Sequence, residues 1–418
     1  WYDSGIAHTA SLNNEEFEEY FPADWISEGT DQIRGWFSSL LRTSIALYNK
    51  APFKKVSIGG MVKDEIGREM HRHLGNTITI DELLSFVSAD GFRLWCLSHP
   101  RWIELKLNKQ ELNDADKEII ILYNISNLVK EFNLILNKNQ INKNIKIKTP
   151  RIKNIRKEDE WILSKLNSLI LKTTENMNKY TIHEAVRGLQ EFIIDDFSRF
   201  YLKFAKQRTS ESKKEIRTIS NICSYILYNI LIISSIAIPF SCEFIYKDLF
   251  NEKESIFMNK WPKHNKKIIN KKLEQEFDLL KEVSKTILSL REKEHIKLKW
   301  PLQEVIIKLN NDEIIENMYR ISNLISNYSN IKSLKIIKSE TNRKVIKPIF
   351  NKLGPEFKQM AQIIANEIIK QNADDIEIAM EKNNYYALHT EKGIFNIKPD
   401  QIVIIEQPIL DDTQSFKY

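Results

Sequence analysis

The 418 residues are more than one hydrophobic core usually organises, so roughly two to four domains are expected. Lysine and arginine total 62 against 56 acidic residues, and the net charge of +6 fits a polyanionic partner without demanding one. Cys96, Cys223 and Cys242 lie far apart without paired metal-ligand spacing, which points to a reducing compartment and away from zinc or any other bound metal.

In chain order, Trp25 and Ile26 open a short apolar strand that ends at Glu28 and Gly29 and passes into an amphipathic helix from about Asp31. Gly29 permits close backbone approach, and Asp31 is a candidate helix cap. Polar residues at such a corner sit at the carboxyl ends of a parallel sheet, where open α/β folds bind ligands. Glu28, Asp31 and Gln32 are therefore candidates for holding a polar small molecule, the plainer alternative being a cap and a surface turn. A second strand is expected over 54–61, with helices near 31–48, 79–87 and 89–98. Between them lies GGMVKDEIGREMHRHLGN, residues 59–76. A turn at Asp64 to Gly67 leads into a tight loop where Arg68, His71, Arg72 and His73 converge, as phosphate binding requires.

Past residue 112 strand signals vanish and helical periodicity takes over. Ile119, Leu122, Ile125, Val129, Phe132 and Leu136 form one stripe, and further helices are expected over 159–179, 182–206, 215–238 and 271–293, together a bundle. The most apolar run, 225–240, is interrupted by Asn229 and Pro239 and reads as a buried helix rather than a membrane span. Arg199, Lys203, Lys206 and Arg208 share a helix, the first three as a basic stripe, whereas Phe200 and Phe204 read as core. From about 298 strands return: a strand to 309, a helix at 311–323, a strand near 332–338, a further helix, and short strands at 394–397 and 401–405.

Residues 67–76 resemble the second signature of class I aminoacyl-tRNA synthetases, which usually reads Gly-Arg-Lys-Met-Ser-Lys-Ser-Leu-Gly-Asn. Gly67, Arg68, Met70, Leu74, Gly75 and Asn76 match, Arg72 stands at the second lysine, and Glu69, His71 and His73 depart. DQIRGWF (31–37) is similar to isoleucyl-tRNA synthetases in particular, and Trp1 to Gly5 resemble the stretch that re-enters the catalytic domain after the editing insertion. SADGFRLWCLS (88–98), IIDDFSRFYLKFAKQR (193–208), IAIPFSCEFIY (236–246), Trp261-Pro262 and HIKLKWPLQEV (295–305) resemble further stretches of that family, the last being typical of its archaeal and eukaryotic type.

The resemblance implies a multidomain α/β plus all-α chain. Residues 1–105 would be the C-terminal part of a Rossmann-like class I catalytic domain, 106–297 an anticodon-binding helix bundle, and 298–418 a small, truncated α+β module. It implies that Glu28, Gly29, Asp31, Gln32 and Met70 contact ATP or the aminoacyl-adenylate, and that Trp36 and Trp1 wall the isoleucine pocket, Trp36 reading otherwise as core. Arg72, Arg68, His71 and His73 would be the catalytic cations on the departing pyrophosphate, with Glu69 paired to Arg68 or Arg72. Arg151, Arg156, Arg187, Arg199, Lys203 and Arg208 are the candidates for tRNA contact. ATP with Mg2+, isoleucine and tRNA(Ile) are the implied substrates, in a monomeric, cytoplasmic enzyme without zinc or membrane association. The first signature of the class is missing, and with Trp1 opening inside a motif the chain is expected to be a fragment that does not activate isoleucine alone. A tRNA-binding protein with a degenerate adenylation site, or a valine-tRNA ligase, are the alternatives.

Overall fold

The computed structural model describes residues 2–136, 145–150, 155–251, 253–309, 311–338, 343–390 and 392–407. The chain divides into two compact units, residues 1–274 and 275–418.

In the first unit β1 (Ile26–Gly29) pairs in parallel with β2 (Val56–Gly59), Gly29 opposite Gly59. The connection carries the helix Trp36–Tyr48, which buries Phe37, Leu40 and Ser44 and stops at left-handed Asn49. The strand expected over 54–61 is β2, and just beyond it a further short strand, β3 (Val62–Lys63), turns away to pair in parallel with β4 (Leu105–Lys106). Gly60 marks the break: its N–H donates to the Arg101 carbonyl at 2.8 Å, and a Cβ there would stand 2.0 Å from the Ile103 carbonyl oxygen. Only glycine lets the two backbones pass so closely.

Helices then follow at Lys109–Leu136, Lys157–Asn178, Ile182–Glu191, Leu202–Arg208, Lys213–Ser234 and Pro239–Leu249. The apolar stripe of the first faces inward, with Leu112, Ile119, Leu122, Ile125, Val129 and Phe132 all buried. The run expected as one helix over 182–206 carries a π-helical section at Phe192–Tyr201. Phe192 stacks on Phe197, five residues on, and Phe197 on Tyr201, four residues on, all three rings in the core. Phe200 and Phe204 are buried, as their spacing suggested, and Ile226 to Ile233 of the most apolar helix lie largely inside the bundle.

Two segments of this unit clasp one another at a helix start. Asp90, buried on the helix Ala89–Leu97, accepts the N–H groups of Ser241 at 2.6 Å and Phe240 at 3.4 Å. Those are first-turn donors of the helix that Pro239 opens, and a carboxylate there satisfies them and meets the positive end of the helix dipole. Arg93, one turn on, donates to the carbonyls of Ile236 and Ala237.

In the second unit β5 (Leu302–Leu309) and β6 (Ile331–Lys338) pair in parallel through the helix Asp312–Ser329, which runs beyond the expected 323 to a left-handed stop at Asn330. β7 (Arg343–Pro348) pairs antiparallel with β10 (Ile402–Gln407), and β8 (Tyr386–Thr390) forms a hairpin with β9 (Gly393–Ile397). Leu353, Ile364, Ile368, Ile376, Leu388 and Ile397 form their shared core. The helix Ala373–Asn383 and the strands β7 and β8 went unexpected, since RKVIKP and YALHT carry no clear alternation.

Candidate adenylate site

The corner follows the carboxyl end of β1, parallel to β2, and the loop follows the carboxyl end of β3, parallel to β4. At the corner Glu28 is exposed at the strand end, and Gly29 turns into a single 3-10 turn, Thr30–Ile33. A Cβ on Gly29 would meet the Asp31 carboxylate at 2.7 Å and Met61 Sδ at 3.7 Å, so glycine is required for Asp31 to fold back. Asp31 does not cap the following helix: it lies within the 3-10 turn and accepts from Gln32 Nε2 at 2.8 Å. Gln32 takes over the helix start, its Oε1 accepting the Trp36 N–H at 3.1 Å. Trp36 is half-buried and donates its indole N–H to the Ser4 carbonyl at 2.9 Å, which fixes the ring against the segment Tyr2–Gly5. Trp1 lies outside the described residues.

The loop 64–76 is a closed ring of hydrogen bonds. Gly67, at φ +86, makes the turn by donating to the Asp64 carbonyl at 2.9 Å. The Asp64 carboxylate accepts the Arg68 N–H at 2.7 Å, Arg68 Nε at 2.9 Å and Asn76 Nδ2 at 3.0 Å. Asn76 also donates to the Glu69 carbonyl at 2.9 Å and accepts the His71 N–H at 3.0 Å. These bonds, that from the Asn76 amide foremost, hold the Asp64 carboxyl down at about 2. Beyond His71 a 3-10 turn, Arg72–Leu74, ends at left-handed Gly75.

The four catalytic candidates thus divide. Arg68 spends its charge on Asp64 within the ring. His71 lies 3.3 Å from the Glu69 carboxylate and stacks on His73 with ring centres 5.3 Å apart. Glu69 therefore pairs with His71 and not, as expected, with Arg68 or Arg72. The Arg72 side chain is exposed and makes no hydrogen bond or ion pair among the described residues, so its charge is available to a ligand. Met70 is half-buried. The role of Asp64 was not anticipated beyond its turn; the signal was the pair of polar residues flanking a glycine turn.

The basic candidates on the bundle fare differently. Arg208 is only 3% exposed, with Nη1 and Nη2 on the two Asp159 oxygens at 2.7 and 2.8 Å and further bonds to Glu158 and Glu215. Tyr201 adds its hydroxyl to Asp159 at 2.7 Å. Arg208 is a buried staple between helices and is withdrawn from the tRNA candidates. Arg156 pairs with Glu211 and Glu215, Arg187 donates to the Ser98 carbonyl at 2.6 Å, and Arg199 pairs with Asp195 one turn away at 2.9 Å. Lys203 is half-buried, and Arg151 lies outside the described residues.

A glycine-turned signature loop after a parallel strand, joined to a helix bundle, is the arrangement of a class I tRNA synthetase. The family model "tRNA synthetases class I (I, L, M and V)" matches residues 1–108, and "Anticodon-binding domain of tRNA ligase" matches 159–307. The isoleucine-tRNA ligase of Sulfolobus acidocaldarius is 32% identical over 97% of this chain, and that of Archaeoglobus fulgidus 31% over 86%. The chain spans 39% and 36% of the length of these two curated relatives. Among solved structures, the agnB2 LeuRS-tRNA-LeuAMS ternary complex of Agrobacterium radiobacter K84 shares the fold, with a TM-score of 0.51 at 11% identity over 80% of this chain and 42% of that one. The chain belongs to the isoleucine-tRNA ligase family of class I synthetases.

Proposed function

We propose that this chain is the part of an isoleucine-tRNA ligase that supplies the adenylate-site corner, the signature loop and the tRNA-binding bundle. The observation that carries the reading is Arg72, whose guanidinium is exposed and has no partner among the described residues, while its neighbours Arg68 and His71 are held by Asp64 and Glu69 within the same loop. The parent enzyme joins isoleucine to ATP, brought with Mg2+, and passes the acyl group to tRNA(Ile). No covalent enzyme intermediate is involved, so rate comes from positioning and from cations that meet charge on the departing pyrophosphate. Arg72 takes that role, with His71 and His73 contributing when protonated. Glu28, Gly29, Asp31, Gln32 and Met70 hold the nucleotide and adenylate, and Trp36, with Trp1, gives the aliphatic side chain a rigid apolar wall.

In this reading residues 1–105 serve activation, 106–297 bind the anticodon side of the tRNA through Arg156, Arg187, Arg199, Lys203 and Arg151, and 298–418 form an appended module. Three free cysteines, two of them buried with their thiols pushed up by burial, support a reducing, cytoplasmic setting, and a monomer is the proposed state.

A second reading, a tRNA-binding protein with a degenerate adenylation site, is favoured by Glu69, an anionic side chain where the family signature carries a lysine. Isoleucine-dependent ATP-pyrophosphate exchange by the full-length protein, with valine as control, separates the two. Arg72→Ala is expected to lower exchange by about a hundredfold or more, the size of effect of removing one preorganised charge-stabilising group. Absence of exchange in a protein that still binds tRNA selects the second reading.

A further inference from the structure

Asp64 and Asn76 stand twelve positions apart and their side chains meet at 3.0 Å. Together they touch the loop at both ends and in the middle: Arg68 through its N–H and Nε, Glu69 through its carbonyl, and His71 through its N–H. We infer that Asp64 and Asn76 are positioning residues for the reaction, a two-residue clamp that sets the direction in which Arg72 is presented to the departing pyrophosphate. The inference rests on the ligase reading above.

Three features carry it. The His71 N–H held by Asn76 immediately precedes the single 3-10 turn that carries Arg72, so this bond fixes the orientation of that turn. The clamp also governs the departure from the family pattern, because Asn76 grips the backbone of Glu69 while His71 holds its carboxylate, keeping that charge off the arginine. Finally, every bond of the clamp goes to the loop's own atoms and none to the helix bundle, so losing it frees the loop without opening a core. The carboxyl of Asp64, lowered to about 2 first by Asn76 and then by Arg68, remains an ionised acceptor across the neutral range.

The test uses the full-length protein with Asn76→Ala, Asn76→Asp, Asp64→Asn and the Asp64→Asn/Asn76→Asp exchange variant. Isoleucine-dependent pyrophosphate exchange, melting temperature and tRNA affinity are read on each. The expected result is a fall in kcat of at least about tenfold in each single variant, with the KM for isoleucine within about twofold and melting temperature and tRNA affinity unchanged. The exchange variant again faces one carboxylate with one amide and is expected to recover part of the lost rate, which loss of scaffold alone does not predict. Exchange that survives undiminished in Asn76→Ala overturns the positioning role alone. A joint loss of melting temperature, tRNA affinity and rate also overturns it, in favour of a scaffold role. If the unsubstituted protein shows no isoleucine-dependent exchange, the ligase reading fails and the clamp's role fails with it.

Discussion

Arg72 and Arg208 are the same side chain put to opposite uses, and the difference lies in what surrounds each guanidinium. Arg72 is exposed on a loop tip with no partner among the described residues, whereas Arg208 is sealed among Asp159, Glu158 and Glu215. Removing one member of a buried ion pair leaves the other charge desolvated, an effect of about 3–5 kcal/mol. Arg208→Ala is accordingly expected to lower the unfolding free energy, read from urea denaturation, by that much while leaving tRNA affinity unchanged under conditions where the protein stays folded; weaker tRNA binding by a fully stable variant would return Arg208 to the nucleic-acid face. The sequence carried part of this distinction. Arg199, Lys203 and Lys206 lie at spacings of four and three, but each residue advances about 100° around a helix, so Arg208 falls about 200° from Lys206, on the other side. What the spacing could not give was the carboxylate waiting there, since Asp159 is 49 positions away.

At the scale of elements, short motifs were legible because local chemistry defines them: a glycine turn, a proline opening a helix, an apolar stripe. Pro239 marks its helix start in the sequence, yet the residue that satisfies the first-turn donors comes from 151 positions upstream, where Asp90 accepts from Ser241. No pattern read along the chain reveals that pairing. The π-helical section at Phe192–Tyr201 was hidden for a related reason, since the aromatic spacing there suits either helix and packing decides. Asp90→Ala is expected to destabilise the first unit by about 0.5–2 kcal/mol, the usual effect of losing an N-terminal cap. Hydrogen exchange localises the effect: the amides of Phe240 and Ser241 should lose protection first, and unchanged protection there would show that Asp90 does not act as the cap. Arg93, held by the carbonyls of Ile236 and Ala237, keeps the same two segments together from the other side and limits the damage.

At the scale of the whole molecule, the change from α/β to helical to α/β patterning was visible in the sequence, but the packing divides at residue 274, inside the helix Lys271–Lys293. A continuous helix carries one hydrophobic period across that point, so periodicity alone places no boundary there. Function is expected to divide elsewhere, between a loop that acts on pyrophosphate and a bundle that meets a polyanion, and salt separates the two. Pyrophosphate exchange needs no tRNA, whereas each phosphate neutralised by a cation releases counterions and adds about one to the slope of log affinity against log salt. Arg199 pairs with Asp195 one turn away and its side chain is largely exposed, and surface pairs of this kind contribute little, so phosphate can compete for the guanidinium. Arg199→Ala is therefore expected to reduce the salt slope of tRNA binding by about one, weaken binding of different tRNAs about equally, and leave exchange at its original rate. An unchanged slope would show that the tRNA backbone passes elsewhere on the bundle.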